Sequence, residues 1–387
     1  MATQGKLVTR ALVLSLGPAV ALGLARFNYA LLLPAMRSSL EWTYAQAGSM
    51  NTANALGYLM GALLAALLAT RVGIARCFWV SLLLTGLSLF GAGMTDDFTT
   101  LLLLRSLAGL SGAVTFVTGA TLASHLASGG QSGLVLGLYF GGVGIGIFLA
   151  GLGLPQLLER DAELWRQVWI GMGVLALLTV SVARRVALTI PTPFKQSANA
   201  ERRRFPIYLL PSLIAYFLFG LGYISYMTFV IAFLRSSGVA AWALSGFWLL
   251  LGSSTFVSAF VWRRLLDKAK DGHALAVVLV VVTSGAVLPL FSTSLLGVLL
   301  SALLFGGAFL SVVSAVTNIV RRSLPAYAWA GGIALFTVFF SVGQTLGPLI
   351  SGVLADRTHS LTGGFTLSAM FLFVAALLAL FQKTRHN

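Results

Sequence analysis

The residue in this sequence with the clearest capacity for binding chemistry is an arginine inside a long apolar stretch. Arg26 lies within an apolar run of residues 7–36, which is long enough to span a bilayer at ~1.5 Å per residue of helix. By the same rise it lies ~15 Å from the end of the run near Met36. A cation at that depth costs roughly 3 kcal/mol or more, so we expect it to face a protein interior or a water-filled cavity with a partner. Two roles fit this position: binding of an anionic group, or bonding to backbone carbonyls of a broken helix.

A second arginine lies at a similar depth in another apolar run. Arg105 is about seven residues, or ~10 Å of helix, from the predicted outer end of the run 98–124. All ten Asp and Glu residues fall in connections or at the ends of runs, so the two cations would form a cavity that attracts anions. A guanidinium presents a planar fork of donors that suits a carboxylate or a phosphate. For Arg105, bonding to carbonyls of a neighbouring helix fits the position equally well.

Polar and aromatic residues at helical spacing complete the set of candidates. Residues three or four apart share one face of a helix, and polar groups in a membrane bundle face inward because lipid offers no hydrogen-bond partner. Each residue alone is more typical of a helix–helix contact than of a ligand contact, but as a set they converge near the bilayer midplane. The predicted substrate-binding residues are Arg26, Tyr29, Asn51, Asn54, Tyr58, Arg105, Tyr139, Tyr223, Tyr226, Asn318, Phe340 and Gln344.

The composition indicates a helical membrane protein. Of the 387 residues, 58% are hydrophobic and only 9% are charged, and the mean hydropathy is +0.94. Apolar content this high, in long unbroken runs, exceeds what a soluble domain of this size needs. The net charge of +15 does not indicate nucleic-acid binding, because nearly all the basic residues lie in short connections between the runs. The single cysteine, Cys77, excludes an intramolecular disulfide and a cysteine metal cluster.

Twelve apolar runs predict an all-α membrane protein with twelve transmembrane helices in two pseudo-symmetric six-helix bundles. A long polar connection separates the first six runs from the last six. It predicts an N-terminal bundle (1–190), a cytoplasmic central loop (191–205) and a C-terminal bundle (206–387). The runs are residues 7–36, 43–70, 74–94, 98–124, 134–158, 165–189, 206–234, 241–262, 273–291, 294–320, 328–355 and 363–382.

The distribution of basic residues predicts the orientation. With the N-terminus inside, 18 of the 25 Lys and Arg residues fall on the cytoplasmic side and five on the outer side, while Arg26 and Arg105 lie within the runs. Cytoplasmic connections of membrane proteins carry such an excess of positive charge. We therefore expect both termini in the cytoplasm.

The two halves of the sequence resemble each other. Residues 23–29 in the first run align with residues 220–226 in the seventh, which pairs Arg26 with Tyr223. The fifth and eleventh runs carry glycines at matching spacings: Gly142, Gly146 and Gly151 against Gly343, Gly347 and Gly352. Internal repeats of this kind are typical of secondary transporters, with the site at the repeat interface near the midplane. We expect the N-terminal half to hold an anionic group and the C-terminal half to supply aromatic and hydroxyl contacts.

On these residues the chain resembles the major facilitator superfamily over essentially its whole length. Residues 105–112 are similar to the family's helix-4 motif, an arginine followed by spaced glycines, and residues 343–352 are similar to its glycine–proline motif. In the signature between the second and third helices, Arg71 and Gly73 match, but Thr70 stands at the usual Asp position. The helix-1 pattern resembles a poorly characterised bacterial branch. The resemblance implies a multi-pass carrier of the bacterial inner membrane that works by alternating access.

The function predicted from the sequence is therefore secondary active transport of a small organic anion of carboxylate type. The partners expected are this small-molecule substrate and the lipid bilayer, with a coupling proton left open and no nucleic acid. No enzyme activity, catalytic residue, cofactor or metal site is predicted, because no phosphate-binding loop or metal-ligand spacing is present. Two alternatives remain: a drug or metabolite exporter with a broad hydrophobic cavity, and a receptor on the same fold that does not transport.

Overall fold

The computed structural model describes residues 2–127, 132–191, 206–269, 271–325 and 328–383. Within these residues the chain is helical apart from short connections, and it contains no β-strand. Twelve of the helices there are long and apolar enough to cross a membrane, and we number them α1 to α12. Their bounds are Gln4–Ser39, Tyr44–Val72, Ile74–Ala92, Phe98–Leu126, Gly133–Arg160, Ala162–Ala187, Ile207–Ser236, Ala241–Ser258, His273–Phe291, Leu295–Ser323, Gly331–Thr358 and Leu361–Leu380.

These helices confirm the predicted all-α class and the twelve spans. Each predicted bound agrees with the structure to within a few residues. The predicted central loop falls almost wholly outside the described residues, because 192–205 are not among them. The division of the chain at 191–205 therefore stays a prediction.

The helices pack in a pattern that repeats after six. In the N-terminal set (α1–α6), α2 and α3 both pack on α4, and α3 packs on α6. In the C-terminal set (α7–α12), α8 and α9 pack on α10, and α9 packs on α12 in the same way. The main contacts between the sets join α2 to α11, α8 to α5 and α1 to α7. Adding six to each helix number in one set, and subtracting six in the other, turns the α2–α11 contact into the α8–α5 contact. The two sets are therefore related by a pseudo-two-fold axis.

Helix α1 is not a regular α-helix. It is α-helical to Pro18, forms a π-helix over Ala19–Phe27, and resumes as an α-helix over Tyr29–Ser39. Proline has no N–H, so Pro18 ends the regular hydrogen-bond series at the start of the π-helical segment. The segment closes where the N–H of Asn28 donates to the carbonyl of Gly23 at 3.1 Å. Segments of π-helix are rare and frequently occur at functional sites.

Helix α10 is also interrupted near its middle. Its first part is Leu295–Gly306 and its second part is Phe309–Ser323. The hydroxyl of Thr255 on α8 donates to the carbonyl of Gly306 at 3.2 Å, so a neighbouring helix supplies a donor at the break. The second part starts with Phe309, whose ring is buried in the bundle.

The ends of α2 and α11 that are predicted to face outward are held together. Both carboxylate oxygens of Asp356 accept backbone N–H groups at the start of α2, from Tyr44 at 2.7 Å and from Ala45 at 2.8 Å. Farther along, the hydroxyl of Thr52 donates to the carbonyl of Thr345 at 2.8 Å. An anionic group at a helix N-terminus meets unpaired N–H groups and the positive end of the helix dipole. The two sets of helices are therefore closed against each other at this end.

Helices α2 and α4 approach each other at backbone distance. A Cβ atom on Gly57 would overlap the carbonyl oxygen of Ser106, and one on Gly109 would overlap the carbonyl oxygen of Asn54. Small residues permit such close packing in membrane bundles. This contact fixes the depth and rotation of α4, and hence of Arg105, relative to α2.

We expect Gly57→Ala to lower the apparent melting temperature of the purified protein. The added Cβ must push α2 and α4 apart, and overpacking of this kind costs ~1–3 kcal/mol. The measurement is thermal unfolding in detergent. The matched control is Gly171→Ala in α6, where a Cβ would meet nothing within 4 Å and better helix propensity makes the change neutral or slightly stabilising. Equal melting temperatures for the two variants would contradict a backbone contact at Gly57.

Candidate functional site

Arg26 lies at the C-terminal end of the π-helical segment of α1. Only 2% of its surface is exposed, and its guanidinium carbon lies 5.0 Å from the centre of the Tyr58 ring on α2. Its Nη2 is buried and has no hydrogen-bond partner among the described residues. A cation over an aromatic face is attracted by the ring, but this contact satisfies none of the guanidinium N–H groups.

No carboxylate balances this charge in the part of the chain that the structure describes. The ion pairs found there both involve Arg166, with Asp96 at 2.8 Å and with Glu163. A buried charge without a partner is costly, so an anion entering this region would gain a strong interaction.

Arg105 on α4 is equally buried but is bonded to the protein. Its guanidinium donates to the backbone carbonyl of Ala25 in the π-helical segment and to Oδ1 of Asn51 at 2.8 Å. It also lies over the rings of Tyr29 at 4.9 Å and Trp169 at 5.4 Å. Of the two roles open to Arg105 in the sequence, these contacts fit the structural one. It holds the backbone next to Arg26.

Two predicted asparagines extend this network across α2. The amide of Asn51 donates to the hydroxyl of Thr228 on α7 at 2.8 Å, which links the N-terminal and C-terminal sets. The amide of Asn54 donates to the carbonyl of Arg105 at 3.2 Å, while its Oδ1 is buried without a partner among the described residues. The hydroxyl of Tyr29 donates to the carbonyl of Ala47 at 2.7 Å. Arg26, Arg105 and these side chains thus lie in one connected region of α1, α2 and α4.

The C-terminal set contributes a layer of aromatic rings that we call the ring stack: Tyr216, Phe219, Tyr223 and Phe340. The rings of Phe219 and Tyr223 lie 4.8 Å apart at 16°, and those of Tyr216 and Phe340 lie 4.5 Å apart at 9°. The ring of Phe340 also lies 5.6 Å from that of Tyr223, at 13°. Near-parallel rings at these distances are stabilised by offset stacking. The stack lies along α7 and α11, and Tyr223 in it lies 6.1 Å from the ring of Phe309, which packs 5.7 Å from the ring of Phe27 next to Arg26.

Gln344 connects the ring stack to a further polar position on α11. Its amide donates to the hydroxyl of Tyr223. Its Oε1 is buried and has no hydrogen-bond partner in the described part of the chain. The predicted residues that the structure brings together are therefore Arg26, Tyr29, Asn51, Asn54, Tyr58, Arg105, Tyr223, Phe340 and Gln344.

Three other predicted residues make hydrogen bonds to groups outside this network. The hydroxyl of Tyr139 on α5 donates to the carbonyl of Phe116 on α4 at 2.8 Å. The hydroxyl of Tyr226 pairs with that of Ser301 on α10 at 2.6 Å. The amide of Asn318 donates to the carbonyl of Leu266 at 3.4 Å, nine residues or ~14 Å of helix beyond Phe309.

The structure adds residues that sequence reasoning did not select. Asn28 donates to the carbonyl of Gly146 on α5 at 3.2 Å and accepts the ring N–H of Trp248 on α8 at 2.9 Å. Asn28 therefore connects α1 to α5 of its own set and to α8 of the other set. The sequence does show a polar amide two residues from Arg26 in an apolar run, and this feature could have identified Asn28 as a candidate. Phe219 was also missed, although it lies three residues from Tyr216 on the same face of α7.

The charged groups at the predicted outer surface form a separate group. Asp97 precedes α4, and its carboxylate accepts the backbone N–H of Thr100 at 2.7 Å. That hydrogen bond lowers the pKa of Asp97 below its usual value. Nearby, Arg166 pairs with both Asp96 and Glu163. In the described ranges, no group of three or more His, Cys, Asp or Glu side chains is placed to hold a metal ion.

Solved structures with similar folds are membrane transporters. The crystal structure of a mutant of the nucleoside transporter NupG has a TM-score of 0.73 at 14% identity, covering 97% of this chain and 98% of that chain. A bacterial homologue of the human lysosomal transporter Spinster, in an inward-facing and occupied conformation, has a TM-score of 0.72 at 17% identity, covering 97% and 96%. At this level of identity the likeness shows the fold alone.

The sequence itself matches a model of a protein family over most of its length. The family is described as "Uncharacterised MFS-type transporter YbfB", and its model matches residues 18–380. This match includes the π-helical segment of α1, the α2–α4 contact and the ring stack. The chain therefore belongs to the major facilitator superfamily of transporters, within this family.

Proposed function

We propose that this transporter carries a small organic anion of carboxylate type across the bacterial cytoplasmic membrane by alternating access. The observation that carries the proposal is Arg26, a buried cation with no ion pair in the described part of the chain and an Nη2 without a hydrogen-bond partner. Buried charges in proteins are ordinarily paired. A substrate carboxylate would supply the missing partner through two parallel N–H···O bonds from the guanidinium fork.

The two arginines have different roles in this proposal. Arg105 donates from Nη1 to the carbonyl of Ala25 and from Nη2 to the side chain of Asn51, while its Nε is buried without a partner among the described residues. Arg26 lies 5.0 Å from the centre of the Tyr58 ring, and its Nη2 has no hydrogen-bond partner in that part of the chain. In this proposal Nη2 is available to a ligand. A cavity for neutral or cationic hydrophobic drugs would gain nothing from this unpaired charge. The exporter with a broad hydrophobic cavity is therefore the weaker reading.

Alternating access requires that the closed end of the bundle can open. At the end predicted to face outward, the hydrogen bonds of Asp356 to Tyr44 and Ala45 join α11 to α2, and Thr52 adds a bond to Thr345. In the proposed cycle these bonds break as the two sets rock about the site at their interface. The Spinster homologue with a similar fold is described as inward-facing, a state that this cycle contains. The orientation, with both termini in the cytoplasm, rests on the distribution of Lys and Arg.

The first prediction concerns Arg26. Arg26→Lys keeps the charge but loses the planar fork, so binding of an organic acid should weaken. Arg26→Ala should weaken it further, by the ~2–5 kcal/mol typical of removing one partner of a buried charge pair, or about 30- to 5,000-fold in affinity. Without ligand, Arg26→Ala should melt no earlier than the wild type, because it removes an uncompensated buried charge. The measurement is thermal stabilisation of purified protein by a panel of organic carboxylates and by their neutral amides.

Arg105 provides the contrast for this experiment. Arg105→Ala removes the donors to the carbonyl of Ala25 and to Asn51, so it should melt earlier than the wild type even without ligand. Amides that stabilise the wild type as well as the acids do would contradict the anion site. So would an Arg26→Ala variant that is stable and still binds the acids with wild-type affinity.

A second prediction concerns the closed outer end. Asp356→Asn turns one acceptor into a donor, so one of the two N–H bonds at the start of α2 is lost. Hydrogen bonds to charged groups contribute ~1.5–3 kcal/mol, so the outer end should open about 10-fold more often or more. The reporter is a cysteine at Ala55, which is fully buried and lies three residues beyond Thr52 on α2. In a Cys77→Ser background, its labelling by a membrane-impermeant maleimide on intact cells should accelerate accordingly.

Asp97→Asn is the matched control for the outer end. Asp97 also binds backbone N–H groups at a helix start, but α4 belongs to the same set as its neighbour α3. Its replacement should leave the labelling rate at Ala55 unchanged. A rate unaffected by Asp356→Asn would contradict the role of this carboxylate in closing the outer end.

A further inference from the structure

Two buried hydrogen-bonding groups on α11 have no partner among the described residues: Oε1 of Gln344 and Oγ of Ser341. Their side chains are 1% and 0% exposed. The two residues are three apart, so they lie on one face of the helix. Buried polar atoms in folded proteins nearly always have partners, and an unpaired one needs an explanation. Two unpaired groups on the same face indicate a ligand that carries its own hydrogen-bonding group.

These groups are joined to the proposed anion site through Tyr223. Gln344 donates to the hydroxyl of Tyr223. The ring of Tyr223 lies 6.1 Å from that of Phe309, which in turn lies 5.7 Å from the ring of Phe27, the residue that follows Arg26. Tyr223 therefore connects Gln344 to the part of α1 that carries Arg26. A molecule that reached both would present an anionic group at one end and a hydrogen-bond donor at the other.

Tyr223 is itself one of a set of near-parallel aromatic rings. Tyr223 lies within 16° of parallel to Phe219 and within 13° of parallel to Phe340, and the ring of Phe309 lies 6.1 Å away at 20°. The aromatic faces that α7, α10 and α11 contribute around Tyr223 are thus nearly parallel. Aromatic faces pair well with another flat ring in an offset stack and less well with a puckered one.

We propose that the substrate is a carboxylate on a flat aromatic ring that also bears a hydroxyl or N–H group. Arg26 binds the carboxylate, the ring stack flanks the substrate ring, and Oε1 of Gln344 accepts the donor at the far end. This inference rests on the proposed function, because it requires Arg26 to be the anion site. It makes Gln344 and the ring stack the residues that select among organic acids.

The test compares the binding of four small molecules to the purified full-length protein. The probes are 4-hydroxybenzoate, benzoate, cyclohexanecarboxylate and 4-hydroxybenzamide, and the readout is the dissociation constant from thermal stabilisation. We expect 4-hydroxybenzoate to bind about 3- to 10-fold more tightly than benzoate, the range of one hydrogen bond. Benzoate should bind more tightly than cyclohexanecarboxylate, and the neutral amide should bind least.

The Gln344→Met variant tests the residue that is proposed to accept a hydrogen bond from the hydroxyl of the substrate. It keeps the length of the side chain but removes the acceptor, so the preference for 4-hydroxybenzoate over benzoate should fall to about 1. The matched control is Gln156→Met on α5, where Oε1 accepts the Ser245 hydroxyl at 2.8 Å in a contact between α5 and α8. That variant should keep the preference.

The outcomes separate the two proposals. Equal binding of benzoate and cyclohexanecarboxylate, both lost in Arg26→Lys, would overturn the aromatic substrate and leave the anion site intact. Amide binding as tight as acid binding, unchanged in Arg26→Lys, would overturn the anion site itself. Failure of every aromatic acid to bind at millimolar concentration, while aliphatic acids bind, would also overturn the inference. The comparison of ligands on the wild type decides the question even where Gln344→Met does not fold.

Discussion

The bond from Arg105 to the carbonyl of Ala25 determines where the other buried arginine lies. Because the α-helical bonding pattern of α1 is interrupted between Pro18 and Tyr29, the backbone there needs donors from elsewhere. Arg105 supplies them from α4, and its own position is fixed by the close approach of α4 to α2. One buried cation thus holds the backbone at Ala25, and the next residue along the chain, Arg26, is held with an Nη2 that has no partner among the described residues.

The same network runs between the two sets of helices. Asn51 bonds both to Arg105 and to Thr228 on α7, and Asn28 bonds both to α5 and to Trp248 on α8. Asn51 and Asn28, which lie around Arg26, therefore make hydrogen bonds that depend on contact between the two sets. A rocking motion of the sets would change the partners of Asn51 and Asn28. In this fold, the state of the bundle and the geometry of the binding region are parts of one hydrogen-bond system.

Much of the fold could be predicted from the sequence because hydropathy and charge act locally. The twelve spans depend only on the length and apolarity of each run, and their bounds differ from the structure by a few residues. The π-helical segment could not be predicted, because it depends on contacts with Arg105 and α5 that are distant in sequence. For the same reason the sequence left the roles of the two arginines open. Asn318 shares its residue type with Asn51, and only tertiary structure shows that it meets Leu266 instead.

The absence of a carboxylate near Arg26 in the described part of the chain also bears on the energetics of a transport cycle. An empty carrier that passed through a closed state would bury a bare cation, while a carrier loaded with a monoanion would bury a neutral pair. Moving one unbalanced charge through the membrane field also costs or yields ~2.3 kcal/mol per 100 mV. Loading removes the contribution of Arg26 to both terms, so under the proposed function reorientation of the loaded carrier is the easier step. Under the proposed function, a carrier with this charge pattern would favour swapping one anion for another across the membrane over returning empty.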